Sequence, residues 1–304
     1  MLEVNHITKN YGRSRGINDI SFKVKDGMVL GLLGSNGSGK TTTFRVLLGL
    51  LEKEIGEIKY NKKEIEDYPR FFGYLPEERS MLRDLKVKEQ ITYLGKLKNM
   101  KKEEIEKAMD HYFKILDIEM YKNRKIIELS KGNQQKVQLV CALIHNPKIV
   151  ILDEPLNGLD IANVMLFKKI IMQLKKEKKI ILLSSHLYDT IENNCDSVLY
   201  LKEGKILFQG DLIALKKKRK SRMIKILDKD IEYWKQIEGV VESEINGNYV
   251  SLRVDEANVK NIMNIIKKEN IQEYSIAYPC LAEIIKEELN EDTNAILTEK
   301  KILK

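Results

Sequence analysis

Short apolar runs alternate with longer amphipathic stretches over the first two-thirds of the chain. Three of these runs are nearly continuous in their apolar character: residues 28–33 (MVLGLL), 148–152 (KIVIL) and 179–183 (KIILL). Such runs are typical of central strands that are covered on both faces of a parallel sheet. Together with the helical stretches between them, the runs predict an α/β domain.

The pattern changes between residues 86 and 129, where Lys, Glu, Leu, Ile and Met recur with helical periodicity. We interpret this stretch as an inserted helical subdomain, at about residues 86–145. Residues 198–210 (VLYLKEGKILFQG) read as a hairpin, and the basic block KKKRK at residues 216–220 marks a boundary. Beyond it, strand-like runs that include residues 249–254 and a predicted helix at residues 258–268 indicate a small α+β domain. The predicted organisation is a first domain at residues 1–215, a basic linker at 216–220 and an accessory domain at 221–304.

Composition narrows the class of protein. No apolar run in the 304 residues approaches the ~20 residues that cross a bilayer, and the N-terminus lacks an apolar export signal, so we expect a cytosolic protein. The three cysteines, Cys141, Cys195 and Cys280, have no metal-ligand spacing and are interpreted as reduced thiols. The net charge is +8, and the lysines that contribute to it are distributed along the chain and mixed with glutamates, except in the dense block KKKRK. We interpret this block as a solvated linker, with a lipid-headgroup or RNA contact as the alternative.

The segment GSNGSGKT, at residues 34–41, fits the pattern G-x-x-x-x-G-K-[ST]. A predicted strand precedes it and a predicted helix, about residues 40–50, follows it. Inward-pointing N–H groups and the helix N-terminus would attract phosphate, Lys40 would reach the β- and γ-phosphates, and the Thr41 hydroxyl would ligate Mg²⁺. A merely flexible turn would give no reason for Lys40 and Thr41 to follow the glycines. The predicted nucleotide-binding residues of this loop are Gly34, Ser35, Asn36, Gly37, Ser38, Gly39, Lys40, Thr41 and Thr42.

A second candidate segment, LDEP at residues 152–155, ends one of the apolar runs. Ligands of open α/β sheets bind at the carboxyl ends of strands, where this segment is predicted to lie. We expect Asp153 to hold Mg²⁺ through its water shell and Glu154 to polarise the attacking water. Alone, the segment could simply end a strand. Together with the phosphate-binding loop, it predicts a nucleoside triphosphatase.

The segment LSKGNQQK, at residues 129–136, lies shortly before LDEP. It resembles the signature, usually LSGGQ, that distinguishes ABC ATPases from other phosphate-loop enzymes. Ser130 is also a good N-cap for the following helix, and the two roles are compatible because a helix start presents N–H groups and a hydroxyl to phosphate. The resemblance implies that Ser130 and Gly132 contact ATP that is held by a second subunit.

Further segments resemble that family in order and spacing. Tyr11, in KNYG, resembles the aromatic residue that stacks on adenine, with a core tyrosine as the alternative. Asp160, which ends LNGLD, matches the loop that links the two active sites, and His186, in LLSSH, matches the histidine that contacts the γ-phosphate. Glu77, in GYLPEE, stands where the family usually has Gln, so its contacts with Mg²⁺ and water come with extra negative charge near a triphosphate.

The signature also departs from the usual sequence, at Lys131 and Asn133. These variants and the segment PCLAEII, at residues 279–285, resemble a branch of antibiotic, peptide or sodium exporters. The resemblance covers residues 1–215 closely and the tail less closely. It implies an α/β phosphate-loop core of ABC type with an inserted helical subdomain and an antiparallel β subdomain.

The resemblance also implies function. It predicts an ATP hydrolase with Glu154, His186 and Lys40 as catalytic residues, ATP and Mg²⁺ as cofactors, and Thr41, Asp153 and Glu77 as the metal-binding residues. Such a subunit forms a homodimer, or a heterodimer with a similar subunit, when it binds ATP. It drives an integral membrane permease from the cytoplasmic face of the membrane, here for export of a drug, antibiotic peptide, lipid or ion.

Two other functions are open to a chain with these motifs. The first is an ABC ATPase that acts on ribosomes or nucleic acid without a permease. Such proteins have two fused cassettes or a long coiled coil, whereas this chain has one cassette and no sustained heptads, so no specific nucleic acid partner is expected. The second is a regulatory or immunity module that binds ATP with little turnover. The combination of Lys40, Asp153, Glu154 and His186 argues against it.

Overall fold

Ten strands in the described part of the first unit form two sheets. The computed structural model describes residues 1–12, 14–65, 68–78, 80–228 and 230–289, without the side chains of Ser14 and Arg15. The chain divides into two compact units, Met1–Gly210 and Asp211–Lys304. In chain order the strands are β1 (Leu2–Tyr11), β2 (Ser14–Val24), β3 (Val29–Leu33), β4 (Ile55–Tyr60), β5 (Lys63–Glu64), β6 (Phe72–Leu75), β7 (Ile149–Leu152), β8 (Ile180–Ser185), β9 (Ser197–Lys202) and β10 (Lys205–Asp211).

The larger sheet has the order β10-β9-β3-β8-β7-β6, and the pairs from β9 through β6 are parallel. Every residue of β3, β7 and β8 is buried, as their continuous apolar sequences predict. Parallel strands place their carboxyl ends at one edge, so the polar residues that follow β3, β7 and β8 meet there. The predicted α/β domain is confirmed.

The second sheet of this unit is antiparallel, with the order β2-β1-β4-β5. Its buried side chains, such as Val4, Phe22 and Ile58, share one apolar core with Leu30 and Leu182 of the larger sheet. Burial of such side chains is the main favourable contribution to folding. The antiparallel sheet thus shares its core with β3, the strand that leads into the loop at residues 34–39.

Helices of the first unit pack around these sheets. They are α1 (Lys40–Leu47), α2 (Tyr68–Phe71), α3 (Val87–Leu97), α4 (Lys102–Leu116), α5 (Lys131–Leu143), α6 (Ile161–Lys176) and α7 (Tyr188–Asn194). Short 3₁₀ turns at Glu119–Tyr121 and Ile126–Glu128 join α4 to α5.

The predicted helical insertion corresponds to α3, α4 and α5. Buried residues of α4 are Ile105, Met109, Phe113 and Leu116, a spacing that forms one apolar stripe. The amino end of α4 is capped because Glu104 Oε2 accepts a hydrogen bond of 2.8 Å from the backbone N–H of Lys101. Sequence periodicity and capping therefore agree in this part of the chain.

The second unit begins with a helix, continues in β-α-β-β-α-β order and has a further helix after the last described strand. Its elements are α8 (Leu212–Lys218), β11 (Ser221–Leu227), α9 (Ile231–Lys235), β12 (Val240–Asn246), β13 (Tyr249–Asp255), α10 (Val259–Lys268), β14 (Tyr274–Ala277) and α11 (residues 281–289). The sheet order is β12-β13-β11-β14, and its core centres on the fully buried Trp234. Lysines 216–218 of the basic block form the last turn of α8, and the division between the units lies earlier, after Gly210.

None of the helices in the described residues combines the length and the apolar character that crossing a bilayer requires.

Candidate nucleotide site

The loop that joins β3 to α1 curls around an inward-facing concavity. Gly39 is the N-cap of α1 with φ 110°, a left-handed conformation, and a Cβ there would lie 2.8 Å from Ile17 Cγ2. Only glycine fits that backbone and that space. No side chain caps α1, so the N–H groups of its first turn are available to a ligand. The Ser38 Oγ atom is buried and has no hydrogen-bond partner among the described residues.

Lys40 folds back over this loop. Its Nζ donates hydrogen bonds to the carbonyl oxygens of Gly34 at 2.8 Å and of Ser35 at 3.2 Å. Burial lowers the pKa of Lys40, while the carboxylates of Glu154, Asp153 and Glu77 act in the opposite direction. The ammonium is therefore desolvated and held by neutral carbonyls, so a phosphate oxygen would be a stronger acceptor.

Asp153 lies at the carboxyl end of β7 and connects three strands. Its Oδ1 accepts a hydrogen bond of 2.5 Å from Ser184 Oγ on β8. Its Oδ2 accepts hydrogen bonds from Thr41 Oγ1 at 3.3 Å and from Tyr74 OH on β6 at 3.5 Å. Burial and, next, the Asp153 carboxylate raise the pKa of the Tyr74 hydroxyl, which keeps it a donor. The carboxylate is therefore fixed beside the Thr41 hydroxyl, as a shared Mg²⁺ ligand set requires.

Glu154 is the next residue and contacts the candidate histidine. His186 Nδ1 lies 3.0 Å from Glu154 Oε1, and the backbone N–H of Glu154 donates to Ser184 Oγ at 2.9 Å. Glu154 has φ 49°, which is uncommon for a residue with a side chain. Its side chain is buried whereas that of His186 is partly exposed, so the histidine covers one side of the carboxylate.

These groups surround a cavity of about 370 Å³. Its lining residues are Gly16, Asn36, Gly37, Gly39, Lys40, Thr41, Thr42, Glu77, Asp153 and Glu154. Three carboxylates face one lysine, so an anion would be repelled here unless a cation entered with it. In the described residues no three His, Cys, Asp or Glu side chains form a metal-ligand cluster. Mg²⁺ is usually bound by one or two carboxylates together with waters and substrate phosphates, and Asp153 beside Thr41 offers such ligands. The donor set fits a phosphorylated ligand together with Mg²⁺.

The remaining predicted site residues lie outside the described lining of this cavity. Ser130 is the N-cap of α5, and its Oγ accepts from the backbone N–H of Asn133 at 3.3 Å. Asp160 is the N-cap of α6 and accepts from the backbone N–H and the side-chain amide of Asn163 at 2.8 and 2.9 Å. A Cβ on Gly132 would lie 2.8 Å from the same Asn163 amide nitrogen. The structure therefore brings Gly132 and Asp160 together through Asn163, and neither residue is in the described lining of the cavity.

Tyr11 ends β1, and its side chain is 40% exposed. The ring does not belong to the described lining of the cavity, whereas Gly16, from the following strand, does. An exposed aromatic ring is accessible to a purine base, and burial in a core, the alternative considered from the sequence, is not observed.

Four further polar residues hold the site together, and the sequence patterns did not identify them. Ser184 and Tyr74 bind Asp153, while two glutamines of α5 bind the loops on either side of the cavity. Gln135 donates to the Pro155 carbonyl at 2.7 Å, and Gln138 donates to the carbonyls of residues 76 and 78 at 3.3 and 3.0 Å. A buried Ser or Gln side chain needs a hydrogen-bond partner, and this was the only signal for these residues in the sequence. Because it applies to every buried polar residue, it could not identify these four as part of the site.

The chain is similar to known proteins over most of its length. Residues 17–157 match the ABC transporter family. The chain is 44% identical over 268 residues to an uncharacterized ABC transporter ATP-binding protein of Methanocaldococcus jannaschii, across 84% of this chain and 98% of that protein. It is 33% identical over 228 residues to the bacitracin transport ATP-binding protein BcrA of Bacillus licheniformis, across 72% of each. A solved structure of the ATP-binding subunit of an ABC transporter gives a TM-score of 0.66 at 30% identity, across 71% of this chain and 92% of that one.

Proposed function

The chain belongs to the ATP-binding proteins of ABC transporters and is an ATPase, and from this premise we propose that it powers export through a separate membrane permease. The role of the site in ATP hydrolysis is supported by one observation: one cavity is lined by Lys40, Thr41, Asp153 and Glu154. Similarity to a bacitracin transport protein supports export of an antibiotic peptide or, more broadly, of a drug, lipid or ion.

In this proposal, Lys40 exchanges its two carbonyl contacts for oxygens of the β- and γ-phosphates. The exchange is favourable because an ionised acceptor forms a stronger hydrogen bond than a neutral carbonyl does. Thr41, Asp153 and Glu77 hold Mg²⁺, which supplies positive charge to the triphosphate. Ser38, with its unsatisfied buried hydroxyl, binds a phosphate oxygen from the base of the loop.

Glu154 accepts a proton from the attacking water as the water approaches the γ-phosphate. His186 restrains the carboxylate through the 3.0 Å contact between Nδ1 and Oε1. Ser184 orients both Asp153 and the backbone of Glu154, so the Mg²⁺ ligand and the base keep a fixed spacing. Positioning of this kind supplies most of the catalysis in phosphoryl transfer.

The signature residues act on ATP that is bound to a second subunit. The support is their position, because Ser130, Gly132 and Asp160 stand outside the described lining of the chain's own cavity. The first turns of α6, beside Asp160, also carry the exposed apolar side chains of Ile161 (81%) and Met165 (66%). A head-to-tail dimer with ATP at the interface would bury both, and the second subunit could be identical or similar.

The permease docks in a groove between the core and the helical insertion. This groove has a volume of about 780 Å³ and extends from Thr41 and Asp153 to apolar residues that include Leu50, Met81 and Leu94. Its mixed lining suits an amphipathic helix that enters from the membrane side. A permease helix there would contact residues 77–78 and sense the state of the nucleotide site. The chain would then lie peripherally on the cytoplasmic face of the membrane.

Co-purification tests the permease assignment. Tagged Glu154→Gln protein, solubilised from membranes with ATP, should retain one integral membrane protein. Leu50→Asp, at the groove, should release it, whereas Leu227→Asp, an exposed leucine of the second unit, should not. Recovery of ribosomal components without a membrane protein would contradict the proposal and support the permease-independent alternative.

The direction of transport is tested with the purified complex in liposomes. With ATP supplied on the side that carries this chain, cargo should move to the opposite side, and bacitracin is the first probe. Movement of cargo toward the ATP side would contradict export while leaving ATP hydrolysis intact.

A further inference from the structure

A second cavity of the first unit lies at the opposite edge of the larger sheet from the nucleotide site. Lys148 and Lys179 line it, and these residues immediately precede β7 and β8, whereas Asp153 and His186 follow the same strands. Its volume is about 870 Å³. The far wall is formed by α4, which contributes Lys107, so the helical insertion and the core both border this basic cavity.

The lining has a clear excess of positive charge. Its cationic residues are Arg70, Lys98, Lys107, Lys148 and Lys179, and its acidic residues are Glu104 and Glu177. In the part of the chain that the structure describes, Lys107, Lys148 and Lys179 form no ion pair with a carboxylate. Convergent cations in a concave surface produce a strong local positive potential.

Lys179 is the most informative of these residues because it is buried, at 6% exposure. Its Nζ donates to the backbone carbonyl of Asn146 at 3.4 Å and also to the side-chain carbonyl of Asn146. Burial lowers the pKa of Lys179, the charge of Lys148 lowers it further, and Glu177, which also lines the cavity, acts in the opposite direction. The hydrogen bonds of this buried ammonium go only to neutral carbonyl oxygens, so an anion in the cavity would be a stronger acceptor.

His145 lies in the same positive potential. Burial first, and then the charges of Lys98, Lys179 and Arg70, lower its pKa to about 4. His145 Nε2 lies 3.0 Å from the Phe72 carbonyl oxygen, so the neutral ring donates there. The cations of this cavity therefore include the lysines and the arginine but not His145.

We propose that the basic cavity binds a small anion that carries two or more phosphate groups. Lysines from both walls supply point charges that suit phosphate, and the volume exceeds what one inorganic phosphate fills. The anion bridges α4 and the starts of β7 and β8. The site is separate from the ATP site, since the two lie at opposite ends of the same strands, and it does not depend on hydrolysis.

Calorimetry with pyrophosphate tests this site in the full-length chain. Lys40→Ala is the background, because it removes the principal phosphate contact of the nucleotide loop. This protein should bind pyrophosphate, and adding Lys107→Gln with Lys148→Gln should weaken binding at least tenfold. The matched control is Lys96→Gln with Lys169→Gln, which removes the same charge from exposed lysines outside the cavity and should leave binding unchanged.

A second experiment distinguishes a soluble anion from a lipid headgroup as the source of the phosphate groups in the cavity. Sedimentation with vesicles that contain phosphatidic acid should show no dependence on Lys107 and Lys148 if the anion is soluble. Vesicle binding that the same pair of substitutions weakens, without pyrophosphate binding, would assign the cavity to a lipid headgroup. Lys179→Gln alters a buried contact and could destabilise the fold. Its pyrophosphate binding is therefore interpreted only after circular dichroism has verified that the variant is folded.

Three results would overturn the proposal. The first is vesicle binding that depends on Lys107 and Lys148 without pyrophosphate binding, because phosphatidic acid carries only one phosphate group. The second is the absence of binding to both pyrophosphate and phosphatidic acid vesicles. The third is binding that the cavity pair and the control pair weaken equally, since that would indicate nonspecific attraction to surface lysines.

Discussion

Individual residues at the carboxyl edge of the sheet set the chemistry. Glu154 is buried, has a left-handed backbone and contacts His186, while Asp153 is bound by hydroxyls from three elements. The two neighbouring carboxylates therefore have different surroundings. One faces an imidazole, and the other faces hydroxyl donors that suit a metal ligand.

Replacement of Glu154 by Gln tests its assignment as the general base. The amide keeps the shape of the side chain but removes its basicity, so turnover should fall by ~10²–10⁴-fold while ATP binding persists. Phosphate release and ATP calorimetry measure the two effects. A variant that hydrolyses ATP at the parental rate would exclude this role.

Ser184→Ala removes the hydroxyl that joins Asp153 to the backbone of Glu154. Because Ser184 is fully buried, the Glu154 N–H would lose its acceptor, at a cost of about 1–3 kcal/mol in the free energy of unfolding. Asp153 would also lose its shortest contact, so hydrolysis should require more Mg²⁺. A lower melting temperature with an unchanged Mg²⁺ dependence would mean that Ser184 is structural only.

The sequence predicted some of these residues and could not have predicted others. Lys40, Thr41, Asp153 and Glu154 belong to contiguous segments whose spacing follows from the turn that each must form. The role of Ser184 depends instead on β8 lying beside β7. Strand order is a non-local property, and no pattern within LLSSH specifies it.

Among the secondary-structure elements, α5 has the most connections to the site. Its N-terminus carries Ser130 and Gly132, and its buried face carries Gln135 and Gln138, which bind the loops after β7 and β6. The Ser130 N-cap and the predicted insertion at residues 86–145 indicated the helix itself. The two glutamines occupy buried positions, so their function became apparent only when the backbone carbonyls opposite them were known.

Gly132→Asp tests the signature. An aspartate there would place negative charge where a partner's γ-phosphate approaches, so ATP binding should persist while ATP-dependent dimerisation and hydrolysis fail. Sedimentation with a non-hydrolysable ATP analogue and phosphate release measure these effects.

A control is needed because any side chain on Gly132 meets the Asn163 amide at 2.8 Å. Gly132→Ala combined with Asn163→Ala removes that crowding without adding charge and should retain dimerisation. If a folded Gly132→Asp protein dimerised normally with ATP, the signature would not be required for dimerisation and this part of the mechanism would be wrong.

Gln138→Leu tests the link between α5 and the loop that contains Glu77. The leucine has a similar size but leaves the carbonyls of residues 76 and 78 without a donor, which should cost about 1–3 kcal/mol in unfolding free energy. Thermal unfolding measures the cost, and because the loop carries Glu77, the Mg²⁺ dependence of hydrolysis should also shift. Gln134→Leu, which loses contacts to residues 126 and 129 instead, is the matched control: it should destabilise the fold similarly but should not change the Mg²⁺ dependence of hydrolysis.

For the whole molecule, the division into two units separates nucleotide chemistry from the C-terminal part. All predicted ATP-handling residues precede Gly210, and so do all members of the first unit's apolar core. The sequence predicted a boundary and a small α+β domain, but it did not specify all four strands that the described residues of this unit contain. β14 was hard to recognise because it is only four residues long and all four are exposed.

Truncation after residue 220 tests this division. The shortened chain should fold and bind ATP with an affinity close to that of the full chain, because its core is complete. A chain that ends at residue 186 retains every nucleotide motif but lacks β9, and it should not fold. If the longer fragment were folded yet unable to bind ATP, the second unit would have to contribute to the nucleotide site.

The position of β3 in the sheet has a consequence for biosynthesis. β3 ends at Leu33, but its two neighbours are β8, which begins at Ile180, and β9, which begins at Ser197. At translation rates of about 5–20 residues per second, the strand that supports the phosphate loop waits roughly 10–30 s for its partners. During that interval a fully apolar segment remains unpaired on the ribosome, where a chaperone could bind it. A stalled nascent chain should therefore acquire protease resistance and ATP binding late and together, only after β9 has left the exit tunnel.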